Sequence, residues 1–207
     1  CHIGDDALDI PIENDDPNLV GMIQPAELSE ETKRILNAIG RGNVHIFDLS
    51  KYHEKSDSIR YWLEIFENGV KQEDQLGSMI GSPYREERDQ KSQVIISYEI
   101  KNKEDSNERT FSILSAIMDS GGTSSSSSEI ILPENTGIAI EDLLSEEKEL
   151  IINQPVTLVT IVENDGDSMG YTSSDFQEYD ETNEVPDKFS EYDRIILFRI
   201  ALELEEQ

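Results

Sequence analysis

Ile59, Tyr61, Leu63 and Ile65 alternate with Arg60, Trp62, Glu64 and Phe66, and the run ends almost directly on Asn68-Gly69. A period of two is the mark of a strand, and Asn-Gly accepts the positive φ that both central positions of a type I′ turn require. The sequence therefore predicts a hairpin returning through Val70-Lys71-Gln72, and bulk on both faces of 59–66 predicts a central strand. The same period returns in 93–101 (Val94, Ile96, Tyr98, Ile100) and 109–118 (Phe111, Ile113, Ser115, Ile117), a second hairpin joined by the polar residues 102–108. Residues 43–49, 155–162 and 194–204 are further strand candidates, with short ones at 129–132 and 137–140, whereas 141–150 is ambiguous and could form a helical turn.

Seven or eight short strands separated by turn chemistry predict a mainly β chain, folded as an antiparallel β-sandwich. The helix-strand alternation of a doubly wound sheet is missing. One short helix is expected ahead of the strands, at about 26–39. Pro25 opens it, acids occupy its first turn, Leu28, Ile35 and Ile39 keep helical spacing, and Gly40 suits the position after its end. Residues 1–24 read as an acidic flexible tether with no basic residue before Lys33, and 25–207 as a single β-sandwich domain. Within it, the Gly/Ser-rich 119–128 and the acidic insertion 163–193 read as flexible loops, with disorder the default for the second.

Forty-five acidic residues against seventeen basic ones give a formal charge of −28. Such a field repels polyphosphates and excludes nucleic acid as a partner. It leaves solubility at a surface, capture of divalent cations, or a basic partner as uses for the excess charge.

Cys1 is the one cysteine among 207 residues, and it stands where an initiator Met would be expected, ahead of the acidic tether. This arrangement resembles the mature N-terminus of a bacterial lipoprotein. The resemblance implies thioether attachment of lipid to Cys1 and a place on the extracytoplasmic face of the cell membrane, without a spanning helix. A single cysteine also rules out an intramolecular disulfide. Trp62 in a central strand resembles, in architecture only, the core Trp of immunoglobulin-like domains. Without the accompanying disulfide, its expected role is plain core packing.

Catalytic chemistry has little to build on. His2 lies in the tether. His45 and His53 match no zinc spacing, although Asp48, Glu54 and Asp57 are near them in sequence. Gly77-Ser78-Met79-Ile80-Gly81 is not a nucleophile elbow, and Gly40-Arg41-Gly42 lacks the Walker spacing and its Lys. Calcium is the most arguable cofactor, because Glu163, Asp165 and Asp167 cluster carboxylates on a turn between two strand candidates. An EF-hand register starting at Asp165 fails, since Met169 and Phe176 fall where oxygen ligands belong. The resulting expectation is a non-enzymatic binding module of the cell envelope, attached to the membrane through Cys1, with an unknown envelope protein or polymer as partner. Two alternatives stay open: a calcium-binding adhesive module, and a hydrolase of envelope polymers working through paired carboxylates.

Overall fold

The computed structural model describes residues 19–41, 43–50, 58–73, 76–81, 92–119, 122–132, 136–165 and 173–203. In chain order these form β1 (Leu19–Pro25), α1 (Glu30–Ala38), β2 (Val44–Ser50), β3 (Ser58–Glu67), β4 (Val70–Lys71), β5 (Leu76–Gly81), β6 (Ser92–Asn102) and β7 (Arg109–Asp119). They continue with β8 (Gly122–Leu132), β9 (Thr136–Asp142), β10 (Lys148–Ile151), β11 (Val156–Asp165), α2 (Ser173–Thr182), a 3-10 helix (Asp187–Glu191) and β12 (Arg194–Glu203).

The strands make two antiparallel sheets of six. The first runs β10-β1-β2-β6-β7-β8, and the second β4-β3-β12-β11-β9, with β5 also paired to β3. Their facing sides share one apolar core, to which the first sheet gives Phe47, Val94, Ile96, Phe111, Ile113 and Ile117, and the second Tyr61, Leu63, Ile161, Ile196, Phe198 and Ile200. The mainly β, antiparallel two-sheet architecture is thus present, with twelve described strands rather than seven or eight. The Tyr61 hydroxyl and Ser115 Oγ, 2.8 Å apart, tie the two sheets across this core.

The second sheet is buried on its other face as well. Phe66, Val162, Ile195 and Leu197 pack there against Phe176 and Tyr179 of α2 and Phe189 and Tyr192 of the 3-10 segment. The Phe189 ring lies 5.1 Å from Phe66 and 5.4 Å from Phe176, a compact aromatic cluster. The molecule is therefore three layers deep, and β3, β11 and β12 need apolar residues on both sides, which is why they lack simple alternation.

The Asn-Gly hairpin forms as predicted: Asn68 (φ 48°) and Gly69 (φ 79°) both have positive φ, and Gln72 N–H donates to the Ile65 carbonyl at 2.8 Å. The 93–118 hairpin pairs along its full length, from Gln93 with Met118 to Asn102 with Arg109. Several other expectations are corrected. In the Gly/Ser stretch 119–128 the described residues form no loop, because Asp119 ends β7 and Gly122–Leu132 is a continuous strand on it, with Ser124 to Ser128 opposite Ile117 to Ile113. Its serines contribute little apolar surface, and the backbone ladder supplied by β7 holds them. The insertion 163–193 is not a disordered loop in its described residues either. Glu163 to Asp165 complete β11, and α2 and the 3-10 helix are anchored by four aromatics that composition outweighed with acids.

The tether read over 1–24 loses its last residues to β1, whose Ile23 is fully buried, while 1–18 lie outside the described residues. The helix begins later than expected and follows a strand: Pro25 still pairs with Phe47, and the cap is Ser29, whose Oγ accepts from Thr32 N–H at 3.1 Å. No helical turn occupies 141–150, where β9 ends and β10 begins. Trp62 is buried, but on the face of β3 away from the inter-sheet core.

Candidate functional site

Two ionisable residues are buried within these two-sided strands, Glu64 in β3 and Arg199 in β12, and both are at most 3% exposed. Arg199 lies opposite Trp62 and Leu197 opposite Glu64, which brings the two charges to neighbouring rows of the sheet's outer face. The Arg199 guanidinium donates to Glu64 Oε2 at 2.9 Å and, through its other terminal nitrogen, to Asp180 Oδ1 of α2 at 3.0 Å. It also stacks 4.5 Å from the Tyr179 ring centre, a use of the planar cation that Lys could not reproduce.

The network extends from both carboxylates. Lys71 Nζ of β4 donates to Glu64 Oε1 at 2.5 Å, and the Tyr179 hydroxyl donates to Oε2 at 3.2 Å. Asp180 accepts from the backbone N–H of Thr157 at 2.7 Å and from its hydroxyl at 2.6 Å. Two carboxylates and two cations from four elements thus neutralise one another where unpaired charge would be costly. Burial alone would raise the Glu64 carboxyl, but Arg199 and Lys71 outweigh it and hold the group below its ordinary value. Burial, aided by the Glu64 charge, pushes the Tyr179 hydroxyl up. Trp62 Nε1, Thr160 Oγ1 and Arg199 Nε are buried here with no hydrogen-bond partner.

A second group surrounds Glu163, at a cleft of about 220 Å³ lined by Glu67, Asn68, Thr136, Glu163, Asp193 and Arg194. Glu163 is buried and receives two hydrogen bonds from the Arg194 guanidinium, whose terminal nitrogen also donates to the Ile131 carbonyl at 3.0 Å. Burial raises the Glu163 carboxyl, and the neighbouring Asp193 charge adds to this against the opposing pull of Arg194. The hairpin tip closes one side of the cleft: a Cβ on Gly69 would lie 2.8 Å from Ser190 Cα, and Asn68 N–H donates to the Asp193 carbonyl at 3.0 Å.

Of the three carboxylates expected to bind calcium, Glu163 is thus engaged by Arg194, Asp165 is exposed at the end of β11 with its N–H bonded to Asp193 Oδ2 at 2.6 Å, and Asp167 lies outside the described residues. No group of three or more His, Cys, Asp or Glu is placed to hold a metal among the described residues. Cys1, His2 and His53 also lie outside them. His45 faces the inter-sheet side, where its Nδ1 meets Asp142 Oδ1 at 2.5 Å and its ring stacks 5.8 Å from Tyr98. Sequence reasoning missed Glu64, Asp180 and Arg199; an acid and a base in the middle of two-sided strands were the available signal for Glu64 and Arg199.

Taken together, the geometry shows the Arg199–Asp180 pair fastening α2 to the second sheet and Phe189 packing the 3-10 helix on it, with Glu178, Glu181, Glu184, Asp187 and Glu191 left exposed. No helix among the described residues is long and apolar enough to cross a membrane. No curated protein and no solved structure matches the chain. The family model of the YgaN domain matches residues 22–202, from β1 to β12, and the chain belongs to the YgaN domain family.

Proposed function

We propose that this chain is a non-enzymatic binding module of the cell envelope, with lipid on Cys1 attaching it to the extracytoplasmic face of a membrane and its acidic layer engaging a basic envelope protein or polymer. The observation that carries the reading is the division of labour within 173–191. Phe176, Tyr179, Asp180 and Phe189 are spent inward on the second sheet, while Glu178, Glu181, Glu184, Asp187 and Glu191 are exposed. Carboxylates on a packed support form a fixed array, which favours steering and orientation of a cationic partner over simple solubility. Support for the anchor comes from the sequence, where the only cysteine precedes an acidic stretch with no cation before Lys33. An immunoglobulin-like relationship is part of this proposal and rests on the two packed antiparallel sheets.

The test combines the intact mass of the protein taken from its native membrane fraction with binding of the purified chain to isolated envelopes. A lipid-sized mass on the Cys1 peptide is expected, together with envelope binding that weakens with salt. The triple variant Glu178→Lys/Glu181→Lys/Glu184→Lys should lose that binding while keeping the wild-type circular dichroism. An unmodified Cys1 in a soluble fraction overturns the anchor, and undiminished binding by the triple variant overturns the acidic face.

A further inference from the structure

The terminal nitrogens of Arg199 are engaged by Glu64 and Asp180, but three polar atoms beside them are not engaged by any protein group. Trp62 Nε1, Arg199 Nε and Thr160 Oγ1 lack a protein hydrogen-bond partner, on residues that are 3%, 1% and 0% exposed. Register puts the three on one face of the second sheet, beneath α2. Trp62 and Arg199 are direct cross-strand partners, and Thr157 continues their row on β11. Thr160 stands in the next row, in line with Leu197 and Glu64. The Arg199 guanidinium carbon is 5.9 Å from the Trp62 ring centre, so the two side chains are near neighbours. Each is also pinned from its other side, Trp62 by Arg60 at 4.6 Å from its ring and Arg199 by the Tyr179 ring at 4.5 Å.

The donor inventory says what such a set needs. An indole N–H and a guanidinium N–H are donors only, so no rotation lets Trp62 and Arg199 satisfy each other. The carboxylates at hand are already in use. Glu64 accepts from Arg199, Tyr179 and Lys71, and Asp180 from Arg199 and twice from Thr157. Native interiors seldom leave buried donors unpaired, and the cost is the full desolvation of the group. The missing piece is therefore a small group that accepts twice and also donates. An anion accepts but would lie beside the Glu64 and Asp180 charges, whereas water carries two lone pairs and two hydrogens.

We infer that Trp62, Arg199 and Thr160 together form a site for an internal water between the second sheet and α2. The water accepts from Trp62 Nε1–H and Arg199 Nε–H and donates to Thr160 Oγ1, joining β3, β12 and β11 under the helix. A way in lies next to it: Thr157 and Asp180, which flank Arg199, also line an open cleft of about 210 Å³ with Leu144, Gln177 and Glu181. The attachment of α2 is then partly solvent-mediated, which lets one buried arginine satisfy all its nitrogens with only two carboxylates. This goes beyond the proposed envelope binding and stands whether or not that reading holds.

Trp62 is the only tryptophan of the chain, so its indole proton is a single resolved reporter in NMR spectra of the full-length protein. Wild type is expected to show cross-relaxation between this proton and the water resonance, with the rotating-frame sign of a long-lived bound molecule rather than that of proton exchange. Thr160→Val, which keeps the shape of the side chain and removes the hydroxyl, should weaken that signal, and Thr160→Ser should retain it. Circular dichroism matching wild type will show that the variants fold. In urea titrations the double-mutant cycle of Trp62→Phe with Thr160→Val should give a coupling of about 3- to 10-fold in the unfolding equilibrium constant, because both groups hold the same water. A wild-type indole proton with no bound-water signal, a signal unchanged in Thr160→Val, or strict additivity in the cycle overturns the inference.

Discussion

Arg199 is 2% exposed and makes its charge tolerable only through Glu64 on β3 and Asp180 on α2. Removing one member of such a set leaves the others buried and uncompensated, so Arg199→Met should lower the free energy of unfolding by about 3–5 kcal/mol in urea titrations. Adding Glu64→Gln to that variant should recover part of the loss, because one orphaned charge goes with it. Gly69 illustrates a backbone constraint instead. Its φ of 79° and the 2.8 Å approach of a would-be Cβ to Ser190 Cα leave no room for a side chain. Gly69→Ala should therefore cost about 1–3 kcal/mol by the same assay. The turn at Asn68-Gly69 was legible because the chemistry of two adjacent residues sets it. The Glu64–Arg199 pair was not, since 134 residues of chain separate its members' neighbourhoods in sequence and only the sheet register unites them.

Among the elements, α2 depends on two aromatics three residues apart. Phe176 and Tyr179 are buried in a cluster that receives no contribution from the inter-sheet core. Phe176→Ala should cost about 3–5 kcal/mol and raise the exchange rates of amides 174–182 before those of β11 and β12, as seen by hydrogen-exchange mass spectrometry. Strand β8 gives the opposite lesson. Its Ser124 to Ser128 carry neither apolar bulk nor alternation, so a reading based on side chains takes them for a linker, whereas the partner strand β7 supplies the ladder. Alternate amides across 124–128 should be protected from exchange, with the period of two of an edge strand. The long 93–118 hairpin was visible in sequence because its alternation is local. The coverage of the second sheet was visible only indirectly, in the two-sided bulk of 59–66 and 194–204.

At the scale of the whole molecule, three layers share the charge problem unequally. Glu64, held below its ordinary value by Arg199 and Lys71 against the effect of burial, stabilises the fold fully above the unfolded carboxylate pKa of about 4.3. That contribution is lost as pH falls through the lower folded value. Glu163 has the opposite sign, because burial raises it: the folded chain takes up this proton before the unfolded chain does, so stability rises as pH falls through its folded value. Urea titrations at stepped pH should show a rise on mild acidification from neutral and then a decline at lower pH, and Glu163→Gln should remove the pH-dependent rise. The central claim is that the acidic segment 173–191 is a folded layer fastened to the second sheet by aromatics and by Arg199. Hydrogen-exchange mass spectrometry of the wild-type chain at neutral pH, read over peptides from 173–191, tests it most directly. Protection well above the rates of an unstructured peptide, lost in Arg199→Met, is the predicted result; exchange at unstructured rates in the wild type would contradict the account.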